Sequence, residues 1–232
     1  MNITLTHNTT LIDTMRTLLF LLAMTLLLVC LSTAQTSPLD STAKAAKDSL
    51  KQAKMVQDSI HMEKLFAIAQ YPWVKGSKWS GVIPVENPTE IPDPNKEYKL
   101  LFEFTAKNPD STSKEINEGL DEVARVLNLH YASGIPPKNI IPVVVIHGPG
   151  IEAVKTNEAY NKRHKIDNPN LKLVADLEKI GTKFIACGQA MAFFSVEKAD
   201  LLPGVKISLT AQTVLSNYQS QGYTLYAIRP DK

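Results

Sequence analysis

The stretch Ile140-Ile141-Pro142-Val143-Val144-Val145-Ile146 constrains this chain more than any other, because every one of its side chains is apolar. A strand covered on one face alternates apolar with polar residues. A strand with no polar face must be covered on both, which is the environment of a parallel sheet held between helical layers. The rest of the chain from Glu97 onward repeats the theme. Tyr98-Lys99-Leu100-Leu101-Phe102-Glu103-Phe104 predicts a strand before it, and residues 116–129, with Leu120, Val123, Ala124, Val126 and Leu127 apolar, predict the intervening helix. Downstream come a polar helical stretch through Asn161, a helix over 170–180 ending at Gly181, and a strand over 184–186. A strand over 205–209, a helix over 211–221 closed by Gly222, and a strand over 223–228 follow. Strands alternating with helices predict an α/β fold with right-handed crossovers, in which chemistry gathers at the carboxyl ends of the strands.

The amino-terminal part is of another kind. Residues 18–31 are uncharged and apolar, preceded by Arg16 and followed by Ser32-Thr33-Ala34. That order of basic, apolar and small residues predicts a secretory signal peptide over 1–34, cut after Ala34, with the start at Met1 or at Met15. The run is short of the roughly 20 residues a membrane-spanning helix needs, so no stable span is expected after cleavage. A lipoprotein reading would acylate Cys30, but Val29 before it is larger than such sites carry. The mature chain would be secreted or periplasmic.

Residues 35–96 form an extension outside the regular region. Positions 41–70 place Leu50, Ala53, Met55, Ile60, Leu65 and Ile68 at helix-like intervals, while 36–55 also suits a disordered linker. Residues 71–96 hold Pro72, Pro84, Pro88, Pro92 and Pro94, which excludes long regular elements. They predict an extended segment pinned to the domain surface by Trp73, Trp79, Val82, Ile83 and Val85. The α/β domain then occupies 97–232. Net charge is +2 with both signs interspersed, which argues against nucleic acid as a partner.

Cys30 lies in the segment to be removed, so the exported chain would keep one thiol, Cys187, and no disulfide. The second strand of the domain ends at His147-Gly148-Pro149-Gly150 and the third at Cys187-Gly188-Gln189, bringing one cysteine and one histidine to the same sheet edge. A helix beginning after Cys187 would favour its thiolate through free N–H groups, and Gly188 would let the backbone approach an anion. With these strands adjacent, His147 would take the thiol proton or hold the thiolate as an ion pair. Gly148, Gly150, Gln189 and Thr210 join them as candidate binding residues. The competing explanations are bland. A lone thiol is often a small buried apolar residue, a histidine at a strand end can bond the backbone, Gly148-Pro149-Gly150 can simply turn the chain, and Thr210 can cap a helix. Asn168-Pro169-Asn170 reads as a turn and cap.

Other chemistries lack their parts. Cys187 and His147 supply two metal ligands where zinc needs three or four, so no metal or other cofactor is expected. A Gly-x-Ser-x-Gly elbow, a second cysteine for a Cys-x-x-Cys pair and Walker spacing are all missing.

Taken in order, several pieces resemble the DsrE/DsrF-like family, which includes the TusD-type sulfur-relay subunits, and in particular an exported DsrE-like subgroup. They are Tyr98 to Phe104, Asn117-Glu118-Gly119-Leu120, Leu127-Asn128, Val143 to Gly148, Asn168-Pro169-Asn170-Leu171, Cys187-Gly188-Gln189, and Gln219 to Tyr223. The resemblance implies a three-layer α/β/α sandwich with a five-stranded parallel sheet in order 4-3-2-1-5, and a homo-oligomer, trimeric or hexameric. It implies that Cys187 matches the cysteine that carries persulfide sulfur in relay members, with a sulfur donor or acceptor protein or a small thiol as partner. The cytoplasmic substrate of those relays does not carry over to an exported chain. The alternative is a non-enzymatic oligomeric protein that binds a ligand in the crevice and uses Cys187 only for packing.

Overall fold

The structure, a computed structural model, describes residues 38–108 and 110–229. The expected signal peptide, its cut after Ala34, Cys30 and both candidate starts fall outside the described residues. Contacts divide the chain into two units, 1–60 and 61–232. The described part of the first is helical and belongs to α1, Pro38–Ile68, along which Leu50, Met55 and Val56 are exposed. Where the sequence left order and disorder both open, the described residues of 36–55 are helix.

The second unit is built on five parallel strands in the order β4-β3-β2-β1-β5. They are β1 Tyr98–Phe104, β2 Ile140–Ile146, β3 Lys183–Cys187, β4 Lys206–Ser208 and β5 Thr224–Ile228. The helices are α2 Glu118–Ala132, α3 Asn157–His164, α4 Leu171–Lys179, α5 Gly188–Phe193 and α6 Ala211–Ser220. Central β1 and β2 pair along their whole length, Tyr98 with Ile140 through Phe104 with Ile146.

One face of the sheet presents Leu100, Phe102, Phe104, Val144, Ile146, Phe184 and Ala186. Against it pack Leu120, Val123, Ala124 and Leu127 of α2 and Leu173, Val174 and Leu177 of α4. Each large side chain buried there contributes about 1.5–3 kcal/mol of transfer free energy. The other face presents Leu101, Val143, Val145, Ile185 and Cys187, covered by Ala190 of α5 and Ala211, Val214, Leu215 and Tyr218 of α6. The result is a three-layer α/β/α sandwich, and the unbroken apolar run of β2 is explained by cover on both faces.

The segment 70–82 belongs to the same unit and is clamped onto α2 mainly by polar groups. Buried Asn128 accepts from the N–H groups of Trp73 at 3.1 Å and Val74 at 2.9 Å, and donates to the carbonyls of Val74 at 2.7 Å and Ser80 at 2.8 Å. Buried Asp121 accepts from both the backbone N–H and the hydroxyl of Ser77. Burial pushes the Asp121 carboxyl above its ordinary value, against the pull of the two Ser77 bonds. Val74 and Val82 are buried and Trp73 stacks on Tyr131, but Trp79, Ile83 and Val85 are exposed. The expected apolar pinning is thus replaced in part by hydrogen bonds, which an extended chain without strand partners needs for its own backbone groups.

A second correction concerns Asn170. It occupies the cap position of α4 but makes no side-chain cap bond. Its Oδ1 instead accepts from the N–H of Asn117 at 2.7 Å, and its N–H and Nδ2 both donate to Asn168 Oδ1. Asn168 in turn donates to the carbonyls of Ala153 and Lys155. The asparagines tie the starts of α2 and α4 to the turn that follows β2.

Candidate functional site

The carboxyl ends of β1, β2 and β3 bring three reactive side chains onto one face. Glu103 pairs with Val145 across β1 and β2, and Val145 with Ile185 across β2 and β3. Side chains alternate along a strand, so Glu103, His147 and Cys187 all project to the side of Val145 and Ile185. The register ends at Ile146 opposite Ala186. One step further sets His147 beside Cys187.

His147 is a boundary residue. Its N–H donates to the Phe104 carbonyl at 3.0 Å, and a 3-10 helical segment, Gly148–Val154, begins after it. The ring does not bond the backbone. Its Nε2–H donates to Glu103 Oε1 at 3.1 Å. The other carboxylate oxygen of Glu103 accepts from the Arg229 guanidinium at 3.2 Å, and only 15% of the Glu103 side chain is exposed.

Cys187 ends β3 and caps α5, yet its sulfur makes no cap bond there. The donor comes from α6, whose first N–H, on Ala211, points at Cys187 Sγ from 3.2 Å. The sequence placed the electropositive backbone in the helix directly after the cysteine; the structure places the contact at a helix more than twenty residues on. Thr210 is the reason α6 starts there, its hydroxyl accepting from the Gln212 N–H at 3.4 Å. Gly188 lets the strands close up, since a Cβ on it would stand 2.7 Å from the Ser208 carbonyl oxygen.

In front of these groups lies an open cleft of about 430 Å³. Cys187, His147, Glu103, Gly148, Gln189 and Thr210 line it, with Ala190, Phe193, Phe194 and Leu215 as its apolar wall. Gly148 holds a φ of +56°, a left-handed turn that suits glycine, and has open space beside it. Two expected binding residues stand apart. Gly150 is packed against the Phe104 ring, 2.8 Å from where its Cβ would be, and Gly188 faces Ser208; neither lines the cleft. Cys187 itself is 4% exposed, a free thiol at the cleft floor.

Among the described residues no group of three or more His, Cys, Asp or Glu is gathered as a metal site. His130 bonds the Val126 carbonyl within α2. His164 lies on the opposite side of the sheet, donating to Glu152 at 3.3 Å. Glu152 also accepts from Lys155 at 2.7 Å, and burial, helped by the Glu152 charge, pushes the Tyr160 phenol up.

Glu103, Ala211 and the Phe193–Phe194 pair were missed in the sequence. Glu103 had a signal: it is the one acid inside an otherwise mostly apolar central strand, at the position in phase with Leu101. The Ala211 contact had none, because it is made by a backbone N–H.

The thiol, a hydrogen-bond donor on its sulfur and an imidazole in one cleft are the parts needed to remove a thiol proton and present a nucleophile. None of the curated proteins matches the chain. Among solved structures, the chain is similar to a protein of unknown function, MTH1491, from Methanobacterium thermoautotrophicum, at 15% identity and a TM-score of 0.42, over 56% of this chain and 99% of that one. The model of the DsrE/DsrF-like family matches residues 99–226, from the start of β1 into β5, and the chain belongs to that family.

Proposed function

We propose that this protein is a sulfur carrier in which Cys187 accepts a sulfane sulfur from a persulfide donor and passes it to an acceptor thiol. The observation that carries the reading is Cys187 Sγ at the end of β3, receiving the Ala211 N–H and facing a cleft that also holds His147. His147 takes the thiol proton. The thiolate attacks the outer sulfur of R–S–SH, the donor S–S bond breaks, R–S⁻ leaves with the bonding pair, and Cys187 carries S–SH. Attack by an acceptor thiolate on that outer sulfur returns the Cys187 thiolate, so the cycle consumes no oxidant or reductant. Gly148, Gln189 and Thr210 are the cleft residues placed to contact donor or acceptor. The carrier works outside the cytoplasm, a placement supported by the apolar run at 18–31, and as a homo-oligomer, supported by exposed Phe193, Ile207 and Leu209.

Mass spectrometry after exposure to a persulfide donor tests this. The intact protein gains about 32 Da, one sulfur atom, and Cys187→Ala does not. An unmodified mass in the wild type removes the proposal.

A second reading is favoured by the burial of Cys187 among Val145, Ile185 and Ala211. In it the protein binds a ligand in the cleft and the cysteine only packs. Alkylation of the folded protein is then as slow as for any buried thiol, and ligand binding survives in Cys187→Ala.

A further inference from the structure

We infer that Glu103 is a positioning residue for His147, fixing the ring so that Nδ1 carries the free lone pair that receives the Cys187 proton. The inference deepens the sulfur-carrier reading and rests on it for the proton's source.

The position of Glu103 is the first argument. Its partners across the sheet are Val145 and Ala227, and beyond Val145 stands Ile185. An apolar residue would complete that row. Removing a carboxylate from water costs several kcal/mol unless charge and hydrogen bonds offset it, so a side chain there that served only packing would be valine or isoleucine. The partners are the second argument. Both carboxylate oxygens are engaged, Oε1 by His147 Nε2–H and Oε2 by Arg229. Arg229 is the outer contact, its side chain 68% exposed, whereas the His147 ring is 29% exposed and lies within the cleft. The carboxylate accepts and cannot donate, so the proton of the neutral ring sits on Nε2. Nδ1 is left as the acceptor, without a hydrogen-bond partner among the described residues.

Three residues on three adjacent strands thus divide the work. Glu103 on β1 orients, His147 after β2 accepts the proton, and Cys187 on β3 reacts. A base held by a third group is the general arrangement for activating a nucleophile, and here the sheet register sets the spacing.

The test is a double-mutant cycle on the alkylation rate of Cys187 at pH 7, together with ¹⁵N spectra of the histidine rings. Glu103→Val slows alkylation roughly tenfold, less than the roughly 10²–10⁴-fold expected for loss of a general base itself, because the ring stays and only its orientation is lost. Glu103→Gln, which keeps the shape and one acceptor, falls between that and wild type. The central expectation is non-additivity: Glu103→Val in a His147→Ala background causes no further loss, because Glu103 acts through the ring. The spectra show the neutral His147 ring protonated on Nε2 in wild type and in Cys187→Ala, and mixed tautomers in Glu103→Val. Additive rate losses, or tautomers unchanged in both Glu103 variants, overturn the inference. If the wild type takes up no sulfur while the tautomer still follows Glu103, the carrier reading fails and the positioning of His147 stands.

Discussion

The two faces of the sheet are covered very differently. On the α2 and α4 face, Phe102, Phe104, Leu120, Val123, Ala124 and Leu127 are completely buried. On the α6 face, Ala211 is the one buried residue of the helix, and Val214, Leu215 and Tyr218 are only half-buried. On this face Leu225, opposite Leu101, is also exposed, and α5 leaves Phe193 82% exposed. Stability is therefore concentrated on one side and access on the other. Cys187 belongs to the thin side, where a cleft can reach a sulfur that the same sheet holds rigidly from behind.

The sharpest way to break this comparison is to delete equivalent side chains on both faces. Leu127→Ala empties a fully packed site on α2 and costs about 3–4 kcal/mol. Leu215→Ala on α6 removes a half-exposed side chain and costs about 1 kcal/mol. Urea titrations of both variants measure the difference. Equal losses would mean that α6 is buried to the same degree as α2, as in an assembly that covers it.

Next in size is the clamp. Asn128→Ala strands the N–H groups of Trp73 and Val74 and the carbonyls of Val74 and Ser80, all held by one side chain. The expected loss is about 2–3 kcal/mol, less than the summed bonds because the freed segment recovers water. Hydrogen exchange in 70–82 rises first in this variant, while β1 and β2 stay protected. Uniform loss of protection would show that the segment is integral to the core instead.

The architecture was legible in the sequence because apolar periodicity is a local property that a parallel sheet rewards. The boundaries predicted for β1 and β2 agree with the structure to the residue, and the ends of α2, α4 and α6 agree to within three residues. What was hidden depends on contacts between distant segments. No spacing rule relates Asn128 to Val74, or the Ala211 N–H to Cys187, since each is set by where folded elements meet. Gly150 illustrates the limit. In sequence it shares a loop with Gly148, but in space its missing Cβ serves the Phe104 ring on the well-packed face rather than the cleft.

Asp121 gives the clamp a pH signature. Burial raises its carboxyl above the ordinary value of 3.8, so the folded chain holds this proton more tightly than the unfolded chain. Its contribution to stability is fully present below the unfolded value and is lost as pH rises through the folded one. Asp121→Asn keeps the shape and an acceptor for Ser77 without titrating. Between acid and neutral pH the wild type should lose more stability than this variant, read as a widening gap between urea midpoints. Parallel midpoints across that window would mean that the Ser77 bonds cancel the cost of burial.

The smallest effect on folding is expected at Phe193, and it bears most directly on why the two faces differ. The side chain is 82% exposed, touches Phe194 edge-on and forms part of the cleft wall. Replacing it with serine should change monomer stability by less than about 0.5 kcal/mol, as at other surface positions. Exposed aromatic surface is nevertheless costly to leave in water and marks contact sites. If the thin face is completed by another copy of the chain, Phe193→Ser lowers the mass seen in light scattering while the urea midpoint of the dissociated chain holds. If the residue instead serves what enters the cleft, the mass is unchanged and the uptake of sulfur by Cys187 slows. A large loss of folding stability would contradict both, because it would place on the thin face the packing that the buried surface assigns to the other.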